Sequence, residues 1–222
     1  MSFEQSPAEI GLLLSGGLDS SILLWRLLAE GARVQPFYVR SHLAWESIER
    51  HWLTRLLTES DRDKLEPLVE LDLPLADVYG QHWSTTGRAV PGAETPDEAV
   101  YLPGRNALLL IKAALWCQLH GIEELALAPL KSNPFPDATN EFFETFESAV
   151  NQATGGQLRI VRPFGQLSKH QVMDLGKSYP LGLTFSCIAP VGELHCGACN
   201  KCAERKAAFQ TAELPDPTAY AG

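Results

Sequence analysis

At 222 residues the chain is long enough for one large domain, or for a domain with an appendage. Hydrophobic residues make up 45% and charged residues 20%, the balance of an ordinary globular protein, and no apolar run approaches the length of a membrane span. A net charge of −9 argues against a general grip on nucleic acid, which needs a basic face, yet leaves room for a small anionic nucleotide in a locally positive cradle. The opening MSFEQSPAEI lacks the basic start and apolar core of a secretory signal, so the expected setting is the cytoplasm. Four of the five cysteines fall within sixteen residues near the C-terminus, and in a reducing compartment such clustering points to metal before disulfides.

Residues 10–14 form a continuous apolar run, as in a strand buried on both faces. Gly16 and Gly17 follow, then Asp19, Ser20 and Ser21 where a helix over 19–30 begins. Glycines and unpaired helix N–H groups after a buried strand make a cradle for phosphate. Neither GxxxxGK[ST] nor GxGxxG is present, so the usual nucleotide loops do not fit. Gly31 is placed to cap the first helix, and residues 33–39 read as a second strand that Pro36 should leave short or irregular. A helix is expected over 43–60, with Trp45, Ile48, Trp52, Leu53, Leu56 and Leu57 on one face as core or subunit-interface residues. Residues 65–71 make a third strand candidate, giving a β-α-β-α-β order and a parallel sheet wrapped by helices.

From 74 to 103 periodicity fades, and so long an irregular stretch is often a functional loop or lid. It closes with YLPGRN before a strong helix that carries Cys117, read as a buried structural thiol. Residues 124–128 form the fourth strand, Asp137 or Thr139 caps the next helix, and 158–163 form the fifth strand. Ser168 and Gln171 fit a capping box; Lys169 between them is either solvated or aimed at phosphates, and spacing does not decide which. Cys187, Cys196, Cys199 and Cys202 suit a closed, tetrahedral structural Zn²⁺ site, with an iron–sulfur cluster as the competing reading and His195 as a spare ligand.

Taken together, SGGLDSS, YLPGRN, LSK, TFSC, the terminal CIAPVGELHCGACNKC and the trailing ERKAAF resemble the 7-cyano-7-deazaguanine synthase family of N-type ATP pyrophosphatases, in order and over nearly the whole chain. The resemblance implies a Rossmann-like α/β fold of the adenine nucleotide alpha-hydrolase type. Its parallel five-stranded sheet would carry helices on both faces over residues 1–180, with a small zinc-binding segment, 181–222, packed on it. It implies an ATP-dependent ligase, with Mg²⁺, that joins ammonia to 7-carboxy-7-deazaguanine and ends at the nitrile, and it suggests a homodimer. Leu14, Ser15, Gly16, Gly17, Leu18, Asp19, Ser20 and Ser21 would form the nucleotide loop, with Arg105 and Asn106 lining the site and Lys169 facing the phosphates; Asp19, Ser20, Arg105 and Lys169 would carry the catalysis. Tyr38, His42, Pro136 and Asp137 match what remains of two substrate loops, the family's YGQ followed by His and its GYPDCR, which here read YVRSH and PFPDAT. Those departures motivate one alternative, a paralogue amidating another carboxylate; the other is a non-catalytic, zinc-stabilised nucleotide-binding protein.

Overall fold

The computed structural model describes residues 9–60 and 63–222; most of the opening MSFEQSPAEI, and with it the expectation about a secretory signal, lies outside them. Strand β1 (Glu9–Leu13) leads into helix α1 (Leu18–Ala29), β2 (Arg33–Arg40), α2 (Glu46–Glu59) and β3 (Val69–Asp72). Two single-turn helices follow, α3 (Ala76–Tyr79) and α4 (Trp83–Thr86). The second half runs through α5 (Arg105–Leu119), β4 (Glu124–Ala126), α6 (Asn140–Thr154), β5 (Arg159–Val161), α7 (Lys169–Gly176) and α8 (Asn200–Thr211). Every strand pair is parallel, in the order β3-β2-β1-β4-β5. The chain steps outward from β1 to β3 and then returns to the other side of β1, so the strand order switches between β1 and β4. Ligands of open α/β sheets bind beyond the strand ends at such a switch. No helix among the described residues is long and apolar enough to cross a membrane.

Alternation along the strands builds two cores. Ile10, Leu12 and Leu14 pack with Ile22 of α1, Leu53 of α2, Val172 of α7 and Phe209 of α8. Phe37, Leu125 and Ile160 pack with Leu110 and Cys117 of α5 and Phe143 of α6. Helices thus cover both faces, as expected. The central strand admits α5 closely because Gly11 lacks a side chain: a Cβ there would lie 2.8 Å from the Cys117 sulfur. Cys117 is fully buried, and burial pushes its thiol up to about 12.

Several local expectations change. Pro36 does not shorten β2, which at eight residues is the longest strand. Val34 bonds toward Lys64 and Glu66, so Pro36, two residues on, turns its nitrogen to the same side. There the neighbouring chain has left the ladder, between the Val34–Leu65 bridge and the Phe37–Val69 pair, and no donor is needed. The third strand is correspondingly confined to Val69–Asp72. Gly31 does end α1 as expected: it follows the cap residue Glu30 in the left-handed region at φ +91°, and the Gly31 and Ala32 N–H groups donate to the Leu28 and Leu27 carbonyls. Thr139, not Asp137, caps α6, accepting from the Phe142 N–H.

The irregular stretch 74–103 is anchored on the cysteine segment. Asn200 donates its backbone N–H to the Pro91 carbonyl and its Nδ2 to the Thr95 carbonyl, each at 2.9 Å. Val100, Leu102 and Trp83 join Trp45, Trp52, Phe185 and the cysteines in a third core. Trp45 stacks on Trp83 and Trp52 on Phe185, which makes the aromatic stripe of α2 a core feature. Helix α8 has no counterpart among the sequence-based expectations.

Candidate active site

Leu14 and Ser15 carry the chain past β1, and Gly16 turns it at φ +82°, a conformation that costs a residue with a side chain about 1 kcal/mol or more. The Phe185 N–H donates to the Gly16 carbonyl at 2.8 Å, so the C-terminal segment pins the turn. Gly17 sits at the N-cap of α1, and no side chain caps that helix, which leaves the first-turn N–H groups for a ligand. Ser15 and Ser20 bring their hydroxyls within 3.3 Å of one another at the same mouth. Leu14, Ser15, Gly17, Leu18, Asp19 and Ser20 line a cavity of about 360 Å³ that also reaches Arg105, Asn106 and Lys169. Gly16 and Ser21 are not among its walls; Ser21 is fully buried, its hydroxyl without a partner among the described residues.

The capping box forms as its sequence pattern predicts: Ser168 accepts from the Gln171 N–H, and the Gln171 side chain accepts from the Ser168 N–H. It fixes Lys169 as the first residue of α7, and Nζ reaches the two Asp19 carboxylate oxygens at 2.9 and 2.7 Å. Glu204 of α8 lies 3.5 Å from the same ammonium and accepts from Lys201 at 2.6 Å. Lys169 therefore faces the cavity in a chain of alternating charges. Burial pushes the Asp19 carboxyl up against the opposing pull of Lys169. Burial also disfavours the Lys169 ammonium, but Asp19 and Glu204 outweigh it and hold that group above its ordinary range.

The β2 side of the cavity presents Phe37, Tyr38, Val39, Trp45 and Glu49. The Tyr38 hydroxyl donates to Glu49 Oε2 at 2.5 Å. Burial raises the Glu49 carboxyl, opposed by that hydrogen bond and by the charge of Arg105. The buried Nε of Arg105 has no hydrogen-bond partner among the described residues, a donor left over at the cavity wall. His42 is not a lining residue: it stands at φ +57°, with Nε2 2.6 Å from Asp72. Pro136 is exposed, and buried Asp137 accepts from the Asn106 backbone N–H at 2.9 Å, so its carboxylate satisfies the start of α5. Of the four residues matched to substrate loops, only Tyr38 reaches the cavity.

Glu49 had a sequence signal that composition hides. Trp45, Glu49, Leu53 and Leu56 follow one another a helical turn apart, so a carboxylate interrupts the apolar stripe of α2. Glu204 and Lys201, from the helix that sequence patterning did not reveal, also line the cavity.

The Cys187, Cys196, Cys199 and Cys202 sulfurs all lie within 4.8 Å of one another, and two of the pairs are 3.9 Å apart. Four sulfurs about 2.3 Å from one tetrahedral ion are separated by about 3.8 Å, so the donor set could hold one metal ion. Backbone N–H groups of Ala189 and Cys196 point at the Cys187 sulfur, and those of Ala198 and Cys199 at the Cys196 sulfur. His195 is turned away from the thiols, accepting from the Ser186 N–H at 3.1 Å. Cys199 caps α8, so the knot sets the helix that delivers Lys201 and Glu204.

Comparison with known proteins gives the family. The family model described as queuosine biosynthesis protein QueC matches residues 10–213. A Desulfotalea psychrophila protein named 7-cyano-7-deazaguanine synthase is 30% identical, with 94% of this chain and 97% of that protein covered. One of the same name from Solidesulfovibrio magneticus is 30% identical, with 97% of each covered. A Sulfolobus acidocaldarius protein, also so named, is 29% identical over 98% of this chain but 49% of its own length, so the chain spans about half of that relative. The protein thus belongs to the queuosine biosynthesis QueC family, whose relatives are named as synthases.

Proposed function

We propose that the protein is an ATP-dependent C–N ligase that converts 7-carboxy-7-deazaguanine to the nitrile with ammonia in the cytoplasm, working as a homodimer. The substrate carboxylate attacks the α-phosphorus of ATP, and pyrophosphate leaves. Ammonia adds to the acyl carbon of the resulting adenylate and expels AMP, giving the amide. A second ATP adenylates the amide oxygen, releasing pyrophosphate and one N–H proton, and loss of AMP with the remaining N–H proton leaves the nitrile. These steps ask for alignment and charge stabilisation more than for a protein nucleophile.

The observation that carries the reading is the loop 14–20 opening into the same cavity as Lys169 and Arg105. The N–H groups that begin α1, with Ser15 and Ser20, would hold the departing pyrophosphate. Asp19 aims Lys169 at it, and Arg105 offers its unused donor to the reacting carboxylate. Mg²⁺, when bound, would neutralise phosphate charge, with Asp19 and Glu204 the carboxylates that line the cavity at that end. We assign Zn²⁺ to the four thiols on donor chemistry and spacing, as a structural ion without an open position, in a segment 181–222 packed on an ATP pyrophosphatase domain 1–180.

Incubation with ATP, ammonia and 7-carboxy-7-deazaguanine, followed by mass spectrometry, should show the nitrile. A second reading rests on His42 and Asp137 lying outside the cavity walls: the same chemistry on another carboxylate. Pyrophosphate released only with some other acid would establish it. No AMP from any of a panel of carboxylates would point to nucleotide binding without turnover.

A further inference from the structure

Glu49 is a half-buried carboxylate on an otherwise apolar helix stripe, and it opens onto the cavity. Placing it there is costly unless it meets donors. The Tyr38 hydroxyl satisfies one lone pair of Oε2 at 2.5 Å. Trp45 adds a second side-chain hydrogen bond to the same carboxylate, and because an ionised carboxylate has about four acceptor sites and no donor, about two remain for a ligand. Phe37, Val39, Trp45 and Leu109 line the cavity with it and offer apolar walls to the faces of a flat ring. The complement of that acceptor is a planar edge carrying two adjacent N–H donors, as in a 2-amino-4-oxopyrimidine ring. The adenine edge alternates a donor with an acceptor nitrogen, which a carboxylate repels.

We propose that Glu49, buttressed by Tyr38, is the specificity-determining residue that reads the paired N–H donors on the ring edge of the carboxylate substrate. The inference rests on the reading of the site as a deazaguanine-activating one, and it assigns the ring to the β2 wall and the pyrophosphate to the α1 end.

Titration calorimetry tests it with two ligands, 7-carboxy-7-deazaguanine and a non-hydrolysable ATP analogue. Glu49→Gln keeps the shape and should weaken the heterocycle by about tenfold or more, the effect of losing a charged hydrogen-bond acceptor, with affinity for the ATP analogue unchanged. Deleting the exocyclic 2-amino group from the heterocycle should cost the wild type about tenfold and Glu49→Gln far less. This ligand-side deletion keeps the test alive should the variant fail to fold, since the wild type alone reports it. Undiminished heterocycle binding by Glu49→Gln, equal loss of both ligands, or indifference of the wild type to the amino group overturns the inference alone. A wild type that binds the ATP analogue but not the heterocycle overturns the functional reading, and this inference with it.

Discussion

At the α1 end of the cavity, a single run from Leu14 to Ser20 supplies the turn, the hydroxyls, the helix start and the carboxylate. At the β2 wall, Tyr38, Glu49 and Arg105 arrive from a strand and two different helices. The first end is local in sequence but held from afar, by Phe185 on Gly16 and by Lys169 on Asp19. The second has no such run of its own and exists only once α2 and α5 have docked on the sheet. In the proposed reaction a triphosphate would be met by the same backbone donors whatever is being activated, so its cradle can be a short motif. A ring edge needs particular side chains at particular places, and those are gathered from wherever the fold supplies them.

Breaking the local end should have the largest effect. Asp19→Ala leaves Lys169 without its aim and should cut turnover by about 10²–10³, roughly 3–4 kcal/mol of transition-state stabilisation, with the melting temperature nearly kept; steady-state kinetics and calorimetry check both halves. Cys199→Ser attacks the long-range hold instead. It should cost on the order of 3 kcal/mol of stability and release metal, read by denaturation and elemental analysis, because three of the four sulfurs are buried in the third core. Gly16→Ala tests the turn alone. It should destabilise by about 1–2 kcal/mol, from φ +82°, and weaken binding of an ATP analogue more than binding of the heterocycle.

The smallest effect belongs to Cys117, which is not among the cavity's lining residues. Its thiol is raised from 9.0 to about 12 by burial, so the folded protein keeps a proton that the unfolded chain releases. The stability linked to it is complete below pH 9 and lost as pH climbs toward 12. Denaturant titrations at alkaline pH should therefore fall less steeply for Cys117→Ala than for the wild type.

The same contrast explains what could be read from residue order. The glycine turn after an apolar strand, the Ser168–Gln171 box and the cysteine spacing are short-range patterns, and each forms in the structure. The strand-helix alternation likewise led to the parallel sheet. Pro36 misled because its tolerance depends on where the neighbouring strand breaks, which no local pattern reveals. Asp137 looked like a cap for its own helix but serves the start of α5, thirty-one residues away. Glu49 passed unnoticed among other helix carboxylates, although its place on the apolar stripe marked it. A motif match likewise says nothing of side-chain direction: the His42 ring meets Asp72, from a backbone at φ +57°.

Pyrophosphate exchange tests the central claim most directly. With 7-carboxy-7-deazaguanine present and ammonia withheld, labelled pyrophosphate should enter ATP, and Asp19→Ala should slow it by about 10²–10³. Exchange that ignores the carboxylate, or turnover that yields ADP and phosphate, would contradict the account.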